Sequence, residues 1–215
     1  MRKSHAYIAL AAAVAIAIPA VAQTAAAPGP AAPATVPGTQ DVSRITAGVY
    51  TVDQWHTQVV WGVNHLGFNL LDGIFGNPTG KLTLDPAHPE KASVSLDFPI
   101  AKVLTTRPAL TEHMLSAAIL DATAFPTATF KSTGVVVTGM TAKISGNLTL
   151  HGVTKPIVLD ARFMGAGVNP NSKKSTVGFL ATTSFKRSDF GVNYAIPIVS
   201  DKVDLHITVA FERDN

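Results

Sequence analysis

The chain of 215 residues contains no cysteine. That absence excludes a disulfide scaffold, a thiolate-bound zinc or iron–sulfur centre and a thiol nucleophile. Charge is scarce as well. Asp, Glu, Lys and Arg make up 14%, and 17 basic against 14 acidic side chains leave a formal net charge of +3. With 47% of residues apolar, a disordered polyelectrolyte is excluded. No Lys/Arg cluster with interleaved aromatics occurs, so nucleic acid is not expected as a partner. Enzyme signatures are missing too: there is no Gly-x-Ser-x-Gly elbow, no phosphate-binding glycine loop and no dinucleotide fingerprint. His56, His65, His113, His151 and His206 show neither His-x-His nor His-x3-His spacing, and no His-Glu-x-x-His occurs. No metal, cofactor or catalytic residue is therefore expected.

Long apolar runs are also lacking. The Ala/Ile/Val stretch from Ala6 to Ala20 is shorter than the roughly 20 residues that span a bilayer, and it is mostly alanine. Preceded by Arg2 and Lys3 and followed by Ala20-Val21-Ala22, it reads as a signal peptide over residues 1–22, cleaved after Ala22. Residues 23–45 are an Ala/Pro-rich linker with too little apolar surface to fold alone. Loss of Arg2 and Lys3 takes the charge from +3 to +1, so the sequence pI of about 9.2 says little about a basic partner. Export to the periplasm or beyond is the expectation. Without cysteine, the exported fold must be held together by packing alone.

Residues 46–213 form one domain in which strand patterning dominates. Val203, Leu205, Ile207, Val209 and Phe211 alternate with Asp204, His206, Thr208, Ala210 and Glu212, and Val94, Leu96 and Phe98 alternate with polar neighbours. Further strands are predicted at Val49–Asp53, Val59–His65, Lys81–Asp85, Ala128–Val137, Lys143–Leu150, Ile157–Phe163 and Val177–Phe185. Asp72-Gly73, Asn77-Pro78, Asp85-Pro86, Thr138-Gly139, His151-Gly152 and Asn169-Pro170-Asn171 read as turns between them. About eight strands with short connections point to an all-β antiparallel barrel or sandwich. One segment breaks the rhythm: Leu110, Met114 and Leu115, punctuated by Pro108 and Pro126, predict a short helix near residues 109–120.

Several strands are apolar on both faces. Val59-Val60-Trp61, Val135-Val136-Val137, Ile157-Val158-Leu159 and Ile196-Pro197-Ile198-Val199 are the clearest. Two architectures explain them. A sandwich would cover its outer face with loops or a second subunit; a barrel would open an apolar lumen for a guest. Patterning alone leaves both open.

Short motifs add a resemblance. Leu148-Thr149-Leu150-His151-Gly152-Val153-Thr154-Lys155-Pro156 resembles a strand–turn–strand signature of the YceI-like family of exported lipid-binding proteins. Tyr50-Thr51-Val52-Asp53 with His56-Thr57, then His65-Leu66-Gly67 and Gly73-Ile74-Phe75-Gly76, resemble its opening strands. Glu112-His113-Met114-Leu115, Phe125-Pro126-Thr127-Ala128-Thr129-Phe130 and Lys186-Arg187-Ser188-Asp189-Phe190-Gly191 follow in the family's order. Two departures bear on pocket shape. Ile119-Leu120-Asp121 stands where the family usually carries an aromatic pair and Asp, and Thr57 stands where it usually carries Ser.

The resemblance implies an extended, lipocalin-like antiparallel barrel whose lumen binds isoprenoids, isoprenoid quinones or their precursors, or fatty-acid derivatives, without catalysis. The residues expected to meet such a ligand are Trp61, Val63, His65, Phe68, Leu70, Phe75, Leu110, His113, Met114, Leu115, Phe125, Phe130, Phe179 and Phe190. Leu104 is a further apolar candidate, and Met114 suits a flexible guest. Arg187 beside Asp189 either grips an anionic head or staples a turn. Transient membrane contact for lipid exchange and a homodimer are the expected partnerships. An auxiliary enzyme or redox factor acting on a bound quinone through His65 or His113, and an extracellular β-sandwich without a cavity, are the competing readings.

Overall fold

Strand pairing resolves the choice between barrel and sandwich. The computed structural model describes residues 36–214; the expected signal peptide over residues 1–22 and most of the expected linker lie outside the described residues. In chain order the elements are β1 (Gly48–Val52), β2 (Gln58–His65), β3 (Asn69–Gly76), β4 (Thr79–Leu84), β5 (Ser93–Pro99), β6 (Val103–Leu104), α1 (Pro108–Leu115), β7 (Thr127–Thr138), β8 (Thr141–Leu150), β9 (Val153–Val168), β10 (Ser175–Lys186) and β11 (Lys202–Arg213). All pairings are antiparallel, in the order β1-β4-β5-β7-β8-β9-β10-β11-β2-β3-β6, and an additional β1–β11 pairing closes the sheet. A closed sheet has no free edges there, and a two-layer sandwich is excluded.

The eleven strands are eight staves, three of them interrupted. β1 and β2 both lie along β11, with Val52 opposite Phe211 and Gln58 opposite Thr208. The break between them is an Asx turn: Asp53 accepts from the Trp55 N–H (3.0 Å) and pairs with His56 Nδ1 (2.6 Å). Thr57, almost fully buried, restores the ladder across the gap, its hydroxyl accepting from the Ala210 N–H (3.2 Å) and facing the Ala210 carbonyl (3.5 Å). A serine would supply the same hydroxyl, so this departure from the family pattern leaves the strand break intact. β3 and β4 form the next stave, interrupted at Asn77-Pro78, and β5 and β6 the third, interrupted by a 3-10 turn at Ile100–Lys102.

The period-2 pattern of β11 carries straight into the structure. Val203, Leu205, Ile207, Val209 and Phe211 face the interior, and His206 is exposed on the other side. Tyr50 anchors the β1 end of the core; it is fully buried and its hydroxyl donates to the Thr46 carbonyl.

Four expectations change. Asp72-Gly73 is not a turn but the middle of β3, with Gly73 directly opposite Trp61. The glycine is there for a different reason: a Cβ would overlap the Trp61 indole and crowd the Leu104 carbonyl. The helix is shorter than predicted, stopping at Leu115, where the Ser116 hydroxyl donates to the His113 carbonyl (2.7 Å). Ile196-Pro197-Ile198-Val199 is part of the irregular connection between β10 and β11, outside the strands. Finally, the last linker residues lie on the barrel. Thr39 and Ala166 exchange two backbone hydrogen bonds (3.1 and 2.9 Å), Arg44 donates to the Pro37 carbonyl (2.9 Å), and Ile45 packs on the core.

The Gly73 contact yields a test. Gly73→Ala forces the Trp61 ring out of place and is expected to cost about 1–3 kcal/mol, the usual range for overpacking. Gly76→Ala, a site with open space around it, is expected to change stability by no more than ~0.5 kcal/mol. Urea unfolding followed by near-UV circular dichroism measures both; equal effects would refute the packing role of Gly73.

Candidate functional site

The inward faces of the staves do not meet in the middle. They enclose a cavity of about 730 Å³, walled by side chains of β2–β5, β7–β11 and α1. Nine of the fourteen residues expected to meet a ligand line it: Trp61, Val63, His65, Phe75, Leu110, His113, Met114, Phe130 and Phe179. Trp61 and Val63 are buried on one face of β2, and α1 turns Leu110 and Met114 towards the same space.

Five do not line it. Phe68, 89% exposed, and Leu70, 68% exposed, stand on the outside of the β2–β3 hairpin, because Leu70, Asp72 and Ile74 occupy the outward positions of β3. Leu104, the further apolar candidate outside those fourteen, is likewise off the wall and exposed on the neighbouring β6. Leu115 packs between two core clusters beneath α1. Phe190 is buried edge-on against Phe185 with centroids 5.1 Å apart. Phe125 covers His151, centroids 4.4 Å apart.

That last contact explains the most specific sequence motif. His151 (φ 50°) and Gly152 (φ 75°) form the two-residue turn between β8 and β9, where both positions must be left-handed. The His151 ring is clamped by Phe125, and its Nδ1 lies 3.2 Å from the Phe190 carbonyl. A Cβ at position 152 would strike the Phe125 ring. The His151-Gly152 turn therefore ties three connections at one end of the barrel and stays off the cavity wall, while Leu148 and Leu150 of the same motif line it.

Sequence reasoning missed much of the wall. Leu82, Leu96, Ile144, Leu159, Phe163, Ile207, Val209 and Phe211 all line the cavity. The signal was available in the period-2 alternation, which puts every second strand residue inside. Ile119 and Leu120, where the family pattern departs, also lie on the wall.

Polar lining occurs at both ends: Ser93, Thr141 and the exposed Arg162 lie towards the β4–β5 and β7–β8 connections, and a second group lies at the end carrying α1, the β2–β3 tip and the 187–201 connection. His65, His113, Tyr194 and Arg187 are there. The His113 and Tyr194 rings meet edge-on at 4.8 Å, and Tyr194 is half exposed. Arg187 does not clamp Asp189. It donates to the carbonyls of Ser200 (2.9 Å), Val192 (3.1 Å) and Val199 (2.9 Å), holding the connection in place, and burial lowers its pKa. Asp201 fixes the preceding turn by accepting from the Ser188 N–H (2.9 Å) and hydroxyl (2.8 Å). Those bonds, the backbone one foremost, hold its pKa below the ordinary value. Among the described residues no group of three or more His, Asp or Glu is placed to bind a metal, and no helix is long and apolar enough to cross a membrane.

A family model described as a YceI-like domain matches residues 50–211, almost the whole barrel. The chain belongs to the YceI-like family. A relative in Pseudomonas fluorescens, named a UPF0312 protein, is 38% identical over 173 residues, covering 77% of this chain and 87% of its own. BcnA of Burkholderia cenocepacia superposes with a TM-score of 0.67 at 21% identity, over 74% of this chain and 98% of BcnA. A domain from Saccharophagus degradans described as polyisoprenoid binding superposes at 0.57 with 15% identity, over 77% of this chain and 98% of that one. Both superpositions establish the YceI-like barrel fold.

Asp201 supplies a pH test. A carboxylate whose folded pKa is depressed contributes stability that is present above the unfolded value and lost as pH falls through the folded one. Unfolding midpoints of the protein are thus expected to drop below about pH 4. Asp201→Asn is expected to lower the midpoint at pH 7 and to flatten that acid limb. An acid limb as steep as that of the parent would show that Asp201 does not carry it.

Proposed function

We propose that this YceI-like barrel is a binding protein for a long-chain apolar molecule: an isoprenoid, an isoprenoid quinone or its precursor, or a fatty-acid derivative. The observation that carries the reading is the cavity of about 730 Å³ with aliphatic and aromatic side chains over almost its whole wall. That volume lies within the range of small-molecule sites. Each methylene removed from water contributes ~0.8 kcal/mol, so a chain of ten or more carbons binds usefully through apolar contact alone. The lumen then replaces the bilayer as solvent for the tail, and the protein transports, stores or sequesters its guest without chemistry. The description of the Saccharophagus degradans domain as polyisoprenoid binding agrees with this class of guest, although that likeness itself extends to the fold only. The leader-like sequence of residues 1–22 supports a periplasmic or secreted location.

His65 and His113 on the cavity wall favour one second reading, a proton-donating role towards a bound quinone. His113→Ala that abolishes turnover while preserving binding would support it.

Organic extraction of the purified protein, followed by mass spectrometry, is the direct test. A co-purifying molecule with a long apolar chain is expected, and delipidated protein should reload with one. Absence of both results would end the carrier reading.

Exchange with a bilayer needs a face that tolerates it. Leu66, Phe68, Leu70 and Ile198 are all exposed, and the Leu66 N–H bonds to the Ile198 carbonyl (2.9 Å), next to the cavity residues His65 and Val199. We read this tip as the membrane-facing end. The double variant Phe68→Ser, Leu70→Ser is expected to slow lipid transfer to anionic vesicles several-fold with affinity for a soluble analogue unchanged. Unaltered transfer, with a dimer in the parent that the variant loses, would instead make the patch a self-association face.

A further inference from the structure

Arg187 stands out on the cavity wall. It is only 7% exposed, yet no carboxylate forms an ion pair with it among the described residues. Asp201 attracts it through space, but the oxygens of that carboxylate are taken by Ser188. A guanidinium carries five N–H donors in a rigid fork. Three of Arg187's are committed to the Ser200, Val192 and Val199 carbonyls. One N–H on each of Nη1 and Nη2 is left without a partner among the described residues. A buried cation that lacks a counter-ion and keeps idle donors is costly, and an anionic oxygen placed against it relieves both deficits. Around it the connection opens to solvent at half-exposed Tyr194, so a polar head can stay near water while the tail runs inward.

We propose that Arg187 is the headgroup site of the lumen and that the guest is an acidic amphiphile, its carboxylate or phosphate oxygen accepting from the two idle N–H groups. This rests on the lipid-binding reading above and narrows it from any apolar chain to one with an anionic end. The head lies at the α1 end, and the tail extends along β11 towards the β7–β8 tip, where Val137 and Met140 line the cavity beside Thr141 and an Arg162 that, unlike Arg187, is exposed to water.

Trp61 provides a depth marker. It is level with Leu205 on β11, and Leu205 with Thr183 on β10, four residues short of Arg187. At about 3.3 Å per residue, that places it ~13 Å inside the headgroup level. It is 5% exposed, lines the cavity, and its Nε1–H has no partner among the described residues. The only other tryptophan is Trp55, which is well exposed.

The test pairs ligands of equal tail: palmitate against hexadecanol, and geranylgeranyl phosphate against geranylgeraniol, each titrated into delipidated protein. In at least one pair the anionic member is expected to bind about tenfold tighter or more; which pair responds separates a fatty acid from an isoprenyl phosphate. Arg187→Met is expected to abolish that preference while hexadecanol still binds. Equal binding within both pairs, or a preference that survives in Arg187→Met, would overturn the headgroup site and leave the lumen reading standing. Failure of all four ligands would instead remove the lumen reading. Because Arg187 also holds the 192–200 connection, orientation is measured without altering it. In Trp55→Phe protein, stearate spin-labelled at carbon 10, the position level with Trp61 when the head sits at Arg187, is expected to quench Trp61 more strongly than stearate labelled at carbon 16. Equal or reversed quenching would refute the orientation.

Discussion

β11 is the seam on which the molecule depends. Its C-terminal half pairs with β1 and its N-terminal half with β2, while its other edge pairs with β10 along its whole length. This one strand turns a meander into a closed wall, and closure is what allows an interior to stay unfilled. An open sheet with so apolar an inner face would have to collapse onto a second layer to keep water off it. A closed sheet is held at a fixed girth by its own ladder of hydrogen bonds, so its inner side chains need not touch across the middle. The buried hydroxyl of Thr57 belongs to this seam, since it bridges the ladder where β1 gives way to β2.

The two ends of the barrel are built differently. At the α1 end, side chains reach across connections: His151 against Phe125 and the Phe190 carbonyl, Arg187 to three carbonyls of the β10–β11 connection, Ser188 to Asp201. These are polar ties with defined geometry, and they concentrate where the cavity wall is also polar. The opposite end relies on chain 36–47, the β4–β5 connection and the apolar β7–β8 tip. The buried polar side chain on the wall, Arg187, belongs to the α1 end, whereas Arg162 at the opposite end is exposed.

The strands were legible because alternation is a local property. Val203 to Phe211 announces its inward face without help from any other segment, and the boundaries of β7, β8 and β10 fall within a few residues of those predicted. β3 was not legible. Leu70 and Ile74 sit on its outer face, Asp72-Gly73 carries the composition of a turn, and Gly73 is small only because Trp61, twelve residues earlier in the chain, lies over it. The site was legible in part for the same reason. Aromatic and motif residues drew attention to Phe68, Phe125 and Phe190, which serve the hairpin tip and the end ties; the wall itself is made of plain aliphatic positions such as Leu82, Leu96 and Leu159.

Composition and patterning by themselves determined an all-β domain of about eight staves, held without disulfides, with more apolar surface than a half-solvated sheet can use. These are sums and periods along the chain, and they need no knowledge of what lies opposite. Whether that surplus faces a second sheet, a partner or an empty lumen was decided only by tertiary structure, because it turns on the register that brings β1 and β2 onto β11. The same holds for Arg187. Its neighbour Asp189 in sequence is exposed and unpaired with it, while the carbonyls it binds are five to thirteen residues away. A buried cation with donors to spare exists only once the barrel has closed around it.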